Sequence, residues 1–214
     1  GGLIEAAADA DLLVVGTRGQ SGLASTLLGS VSAHCASHSA VPVVIVPAEC
    51  PTDRPLREIV VGVDGSRHAD AALRWAIEHL APGGRLRAIG ALPIWGAADL
   101  DAGAGDGPLE KALGDRVEEA IERVLTGVTL PDGDDREIVI TVAARDARVV
   151  LREVADDGAD LLVIGRRGQS RLAFLVVGSV ASALCHHPTV PTVVIPAAEP
   201  APSDEATTDP TTEG

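Results

Sequence analysis

The sequence repeats itself over a long interval. Residues 11–48 and residues 160–197 follow the same pattern without a gap. Each copy starts with an aspartate and an apolar run, continues into a glycine-bounded loop, and ends on a Val-Pro dipeptide that opens a second apolar run. A repeat of domain size is far longer than a solenoid unit, so the pattern predicts tandem copies of one domain.

The most informative stretch lies between a predicted strand and a predicted helix of the second copy. The apolar run that ends at Ile164 predicts a buried parallel strand, and the segment after the loop predicts a helix with Ser179 as its N-cap. Between them stand Gly165, Gly168 and Gly178, which let backbone N–H groups approach a ligand closely. The helix start adds unpaired N–H donors and a partial positive charge. The stretch therefore predicts an anion site, for example for phosphate. A βα turn in which the glycines serve only packing is the alternative.

Residues 58–197 alternate predicted strands with predicted helices. This alternation is typical of an α/β doubly wound parallel sheet with right-handed crossovers. Aromatic residues make up only 1% of the chain, so the core must be built from Val, Leu, Ile and Ala, which suits a parallel sheet covered by Ala-rich helices. The predicted strands are 58–63, 85–91, 137–142, 160–164 and 190–195, and the predicted helices are about 67–80, 109–126, 146–156 and 179–186.

The first copy is incomplete in this sequence. Residues 2–9 are typical of a helix end, and predicted strands at 11–15 and 42–46 flank a predicted helix at about 30–38. This half has no counterpart of Asp64, which ends the first strand of the second copy. The predicted domains are a C-terminal half-domain at 1–48, a Pro-rich linker at 49–57, a complete domain at 58–197 and a disordered acidic tail at 198–214.

Composition excludes several classes of partner. A net charge of −14 without a basic stripe argues against nucleic acid and against an anionic membrane surface as partners. No membrane-spanning run and no signal peptide are visible. The three cysteines show no metal spacing and are expected to be reduced thiols in a cytoplasmic protein. The histidines predict no metal site: His34, His38, His186 and His187 are expected at helix C-termini, and His68 and His79 are expected to face solvent.

In its two glycine-bounded loops and around Asp64, the chain resembles the universal stress protein family. Nucleotide-binding members of that family carry the pattern Gly-two-Gly-nine-Gly-Ser/Thr late in the domain and an Asp at the end of the first strand. Here the glycine pattern occurs twice and the Asp once, as Asp64. The resemblance covers residues 58–197 as a whole domain and 1–48 as the back part of another. It implies a five-stranded sheet in the order 3-2-1-4-5, which places Asp64 and Gly165 at one crevice.

The resemblance also implies a role for each site residue. Asp64 would contact the base or ribose, Ala91 and Ile164 would line the adenine pocket, and the phosphates would lie against Gly165, Arg167, Gly168, Gly178, Ser179 and Val180. The matching residues of the first copy are Gly16, Arg18, Gly19, Gly29, Ser30 and Val31. Two positions depart from the family pattern: Gly90 stands where His is frequent, and Ala181 where Thr is frequent, whereas the first copy keeps Ser32 there. The loss of one hydroxyl contact lowers the expected affinity.

The function that the resemblance implies is an ATP-binding regulatory protein of the stress response, without enzymatic activity. Whether Mg²⁺ accompanies the adenine nucleotide is left open. A slow ATP-hydrolysing enzyme is one alternative, although Lys111 is the only lysine and no Gly-x-x-x-x-Gly-Lys-Ser/Thr motif is present. A nucleotide-free interaction domain is the other.

The last strand of each copy is expected to be a pairing surface. Pro42 and Pro191 cannot donate to a ladder and so belong at strand starts or edges. A terminal strand in the family order is a sheet edge that needs a partner, and family members commonly dimerise through it in antiparallel fashion. We therefore expect either a homodimer or pairing of strands 42–46 and 191–195 within one tandem chain.

Overall fold

The computed structural model describes residues 2–17, 28–50, 55–91, 108–129, 133, 135–169 and 177–197. The strands within them are β1 (Leu13–Gly16), β2 (Val43–Val46), β3 (Glu58–Gly62), β4 (Arg85–Ala91), β5 (Glu137–Ala143), β6 (Leu161–Gly165) and β7 (Thr192–Ile195). The helices are α1 (Gly2–Ala6), α2 (Ser30–His38), α3 (Arg67–His79), α4 (Pro108–Leu125), α5 (Ala147–Asp156) and α6 (Ser179–His186). The predicted tail at 198–214 lies outside the described residues, as do residues 51–54 of the predicted linker.

All of these strands join one sheet in the order β1-β2-β7-β6-β3-β4-β5. Every neighbouring pair is parallel except β2 with β7. The α/β class with a mainly parallel sheet is confirmed. The sheet has seven strands where five were predicted, because β1 and β2 of the first copy continue it beyond β7.

The helices cover both faces of the sheet. One apolar cluster contains α3 and α4 with residues such as Leu73, Ile77 and Val117, and the other contains α2, α5 and α6 with residues such as Leu151 and Leu184. The helix α3 shows why the sequence folds this way. Its N-cap Ser66 accepts a hydrogen bond from the N–H of Ala69 at 3.2 Å, and its apolar residues fall on one face at helical spacing.

The antiparallel pair β2–β7 joins the two copies. Val44 lies opposite Val193 and Val43 opposite Val194, which agrees with the pairing expected of the two last strands. Val43, Ile45 and Val193 are at most 1% exposed. Full burial of such a side chain contributes about 1.5–3 kcal/mol, so the junction is part of the core.

Charges placed in this junction are expected to separate the two copies. The double variant Val44→Lys with Val193→Lys sets two like charges opposite each other in a buried ladder, at a cost of about 3 kcal/mol or more. For a chain of this length the thermal midpoint is then expected to fall by roughly 6–12 °C. Differential scanning calorimetry measures it. Val14→Lys is the matched control, because Val14 is 59% exposed in the same sheet. An unchanged midpoint in the double variant would contradict the assigned junction.

Candidate functional site

The carboxyl ends of β3, β4 and β6 enclose a cavity of about 260 Å³. Parallel strands end at the same edge of a sheet, and β3 lies between β4 and β6, so the loops that follow these strands meet there. The predicted residues of the second copy all line this one cavity: Asp64, Ala91, Ile164, Gly165, Arg167, Gly168, Gly178, Ser179 and Val180.

The inner wall of the cavity is apolar. Val63, Ile89 and Ile164 contribute from the strand ends, and Leu151 contributes from α5. Ile89 and Ala91 of β4 face the cavity because alternate residues of a strand point to the same side of the sheet. A wall of this kind suits a flat apolar ring.

Gly90, between Ile89 and Ala91, faces the opposite side of the sheet. A Cβ on Gly90 would lie 2.6 Å from Cγ2 of Val117, so the glycine lets α4 pack closely on β4. Helix packing therefore explains why a glycine stands at position 90, where the family frequently has His.

The side chain of Asp64 connects the two loops at the rim of the cavity. Its Oδ1 accepts a hydrogen bond from the N–H of Ser66 at 2.9 Å, and its Oδ2 accepts one from the N–H of Gln169 at 3.0 Å. Its backbone oxygen accepts hydrogen bonds from Nε2 of Gln169 and from the guanidinium of Arg116, the latter at 3.2 Å. The carboxylate therefore holds the loop after β3 against the loop after β6.

Gly168 makes this contact possible. A Cβ on Gly168 would lie 2.6 Å from Oδ2 of Asp64, well inside van der Waals contact. The same holds for Gly165, where a Cβ would lie 2.7 Å from the backbone carbon of His68. Both glycines are thus required by close approach of neighbouring atoms.

The polar side of the cavity is formed by the start of α6. The N–H of Gly178 donates to the backbone oxygen of Arg166 at 2.8 Å, which sets the helix start beside the loop. The N-cap residue is Gly178, and Ser179 is the first helical residue, so the prediction of Ser179 as N-cap was wrong by one position. Gly178 has the extended backbone of an N-cap, and it makes no side-chain cap bond. The exposed Ser179 hydroxyl and the N–H groups of this first turn face the cavity rim beside Arg167.

His68 departs from its prediction. It was expected to face solvent, but it is 4% exposed, because α3 packs its first turn under the backbone of Gly165. Its Nε2 has no hydrogen-bond partner among the described residues. Burial first, and then the guanidinium groups of Arg167, Arg67 and Arg166, lower the pKa of His68, and Asp64 opposes them; the resulting pKa is about 4. The imidazole is therefore neutral at neutral pH.

In the first copy the corresponding residues stand at the end of β1 and the start of α2. Gly16, Gly29, Ser30 and Val31 occupy these positions, whereas Arg18 and Gly19 lie outside the described residues. The hydroxyl of Ser32 donates to the backbone oxygen of Gly16 at 2.7 Å and is buried. Ser32 was expected to keep a ligand contact; in the structure its hydroxyl instead ties α2 to the end of β1.

Several cavity residues were not predicted. Gln169 follows the second glycine of the motif in both copies, so the repeat itself contained that signal. Ala147 and Leu151 come from α5, and nothing in the local sequence indicates that α5 reaches the site. Arg116 of α4, which donates to the backbone oxygen of Asp64 at the rim of the cavity, was not predicted either.

In the part of the chain that the structure describes, no group of three or more His, Cys, Asp or Glu side chains is arranged to hold a metal ion. None of its helices is both long and apolar enough to cross a membrane. The three cysteines form no disulfide; Cys35 and Cys185 are buried, and burial raises the pKa of Cys185 to about 12.

The fold and the site together define an α/β protein with a glycine-lined cleft at the carboxyl ends of its parallel strands. The chain belongs to the universal stress protein family, whose model matches residues 3–47 and 55–196.

Two curated relatives from Mycobacterium tuberculosis are universal stress proteins. One is 29% identical over 198 residues, which is 90% of this chain and 64% of the relative, and another is 32% identical over 188 residues, which is 86% and 58%. The chain thus spans about three fifths of the length of these relatives. A universal stress protein from Archaeoglobus fulgidus has the same fold, with a TM-score of 0.61 at 23% identity over 90% of this chain and 65% of that one.

Protonation of His68 is expected to destabilise the protein below neutral pH. The pKa in the folded state, about 4, lies below the usual value of 6.5. The unfolded chain therefore binds the proton more readily. This contribution to stability is full above pH 6.5 and is lost as the pH falls toward 4, with a slope of at most about 1.4 kcal/mol per pH unit.

Urea unfolding at pH 7.5, 6.0 and 5.0 measures this effect. The variant His68→Gln, which cannot take up the proton, is expected to lose less stability than the parent between pH 6.5 and 5. His187→Asn changes an exposed imidazole and is the matched control. Equal pH slopes for the parent and His68→Gln would refute the assignment.

Proposed function

We propose that this protein binds ATP in the cavity at the carboxyl ends of β3, β4 and β6. The observation that carries the proposal is the convergence of three features on one cavity: the glycine loop after β6, the first turn of α6 and the apolar wall of Ile89 and Ile164. A helix N-terminus beside glycine backbone suits a phosphate, and the apolar wall suits an adenine ring.

In this arrangement different polar groups contact different parts of the nucleotide. Arg167 can pair with two phosphate oxygens at once, and Ser179 offers a hydroxyl and a backbone N–H. Asp64 is half-buried at the opposite side of the loop, where a ribose hydroxyl can donate to its carboxylate. A ribose there would compete with the N–H of Gln169 for Oδ2 of Asp64. Whether Mg²⁺ accompanies the phosphates is decided by titrating ATP into the protein in the presence and in the absence of Mg²⁺.

The tandem organisation is part of the proposal. Residues 1–48 act as the C-terminal half of one domain, residues 49–57 as a linker, and residues 58–197 as the complete domain that contains the site. The edge of β7, where family resemblance implies a second subunit, is occupied by β2 of the same chain. Intrachain pairing then replaces a homodimer at this strand. The protein would act as a cytoplasmic regulator whose occupancy by ATP reports the energy state of the cell under stress.

A methyl group at Gly168 is expected to weaken nucleotide binding. In Gly168→Ala the new Cβ would displace the carboxylate of Asp64, which loses a charge-assisted hydrogen bond worth about 1.5–3 kcal/mol. The dissociation constant for ATP is expected to rise about tenfold or more. Isothermal titration calorimetry measures it.

Gly114→Ala is the control for this variant. It adds the same methyl group to α4, where the nearest atom, Cγ1 of Val142, would be 3.9 Å away. Binding as tight in Gly168→Ala as in the parent and the control would place the site elsewhere. Failure of the parent to bind ATP, together with the absence of adenine absorbance in the purified protein, would instead favour a nucleotide-free interaction domain.

Turnover of bound ATP is expected to be slow or absent. The only lysine, Lys111, pairs with Asp115 on α4, and both oxygens of Asp64 already accept backbone hydrogen bonds. The described residues that line the cavity therefore offer no ready general base. A coupled assay for ADP measures turnover. Sustained ADP release that disappears in Arg167→Ala or Ser179→Ala would show that the protein is an enzyme.

A further inference from the structure

Within the four residues Gly-x-x-Gly that open the glycine loop, the two copies differ at one position. The first copy reads Gly-Thr-Arg-Gly from Gly16, and the second reads Gly-Arg-Arg-Gly from Gly165. Thr17 and Arg166 therefore occupy equivalent positions. Their backbones make equivalent bonds as well: the N–H of Thr17 donates to Val46 at 3.1 Å, and the N–H of Arg166 donates to Ile195 at 2.9 Å. The difference between the copies lies in the side chain alone.

The side chain of Arg166 reaches out of its own copy. Its Nη1 donates to the backbone oxygen of Ser39 at 2.8 Å and, at a longer 3.4 Å, to that of Ser37. These carbonyls stand at the C-terminal end of α2, in the first copy, and Ser39 is only 2% exposed. The last carbonyls of a helix have no intrahelical donor and carry a partial negative charge. A half-buried guanidinium that binds them makes a charge-assisted contact.

The equivalent position of the first copy cannot make this contact. His186 and Pro188 correspond to Ser37 and Ser39, and Thr17, which corresponds to Arg166, has a short side chain without a guanidinium. Among the described residues, the contact from this position therefore runs one way, from the loop of the second copy to α2 of the first.

The backbone of Arg166 sits at the centre of the site. Its oxygen accepts the hydrogen bond from Gly178 that places the start of α6, and its neighbours Gly165 and Arg167 line the cavity. We propose that Arg166 is a positioning residue, which holds the nucleotide loop in its binding conformation by anchoring it to the C-terminal end of α2. This inference rests on the proposed binding of ATP. It makes the first copy a support for the site in the second.

The contact implies reciprocal coupling. If the anchor on α2 favours the conformation that binds ATP, then bound ATP must favour the anchor by the same factor. ATP is therefore expected to slow amide hydrogen exchange in residues 37–41, although these residues do not line the cavity. In Arg166→Ala that long-range effect disappears. A merely structural role for Arg166 would leave no such response.

The experiment combines two measurements on the full chain. Hydrogen exchange without nucleotide is expected to be faster in Arg166→Ala than in the parent, both at residues 37–41 and at residues 165–169. In Arg166→Ala the dissociation constant for ATP, measured by calorimetry, is expected to rise about tenfold, because one charge-assisted hydrogen bond is lost. Methylguanidinium at millimolar concentration is expected to restore part of the lost affinity in Arg166→Ala.

Arg136→Ala is the matched control. Arg136 donates to the backbone oxygen of Ile77 in the last turn of α3, at 2.6 Å, and so makes a similar contact away from the cavity. This variant is expected to lower the thermal midpoint and to keep the parent's affinity for ATP. Unchanged exchange at residues 37–41 in Arg166→Ala, or an unchanged dissociation constant while the parent binds ATP, overturns the inference. A parent that does not bind ATP refutes the proposed function, and the exchange measurement without nucleotide then still decides whether the anchor exists.

Discussion

The antiparallel ladder between β2 and β7 is the interaction on which the rest of the structure depends. It turns two groups of parallel strands into one sheet, and it buries Val43, Ile45 and Val193 almost completely. Without it both strands would expose unpaired backbone groups along an apolar edge. The same ladder fixes where α2 lies relative to the loop after β6, so it also fixes the distance between Arg166 and the carbonyl of Ser39. The joining of the two copies and the contact between α2 and the site loop therefore both depend on this ladder.

Much of this architecture could be predicted from the sequence because it depends on local patterns. Apolar runs of four or five residues mark the buried strands, and α2 was predicted with its observed ends at residues 30 and 38. Side chains that act across long distances could not be predicted in this way. The burial of His68 depends on the approach of Gly165, almost a hundred residues later, and the alternation of polar and apolar residues in α3 gives no sign of it. Similarly, α5 contributes Leu151 to the cavity only because of how it packs on β3.

The site shows why glycines stand where the repeat has them. At Gly165 and Gly168 a side chain would collide with His68 and Asp64, so these residues are required by neighbours within the protein as well as by the proposed ligand. The two explanations considered from sequence, close packing and a cradle for an anion, are therefore compatible. Asp64 and Arg167 both line the cleft, so its rim contains one group of each charge.

The placement of the cysteines has a consequence for the chemistry of the protein in oxidising surroundings. The thiolate is the form that reacts with oxidants. Cys185, whose pKa is about 12 and which is 2% exposed, is held as an unreactive thiol, and Cys35 is equally buried. Cys50 is partly exposed in the linker that follows the first copy, so peroxide is expected to reach this thiol before the two buried ones. Oxidation is therefore expected to begin outside the two apolar clusters that cover the sheet.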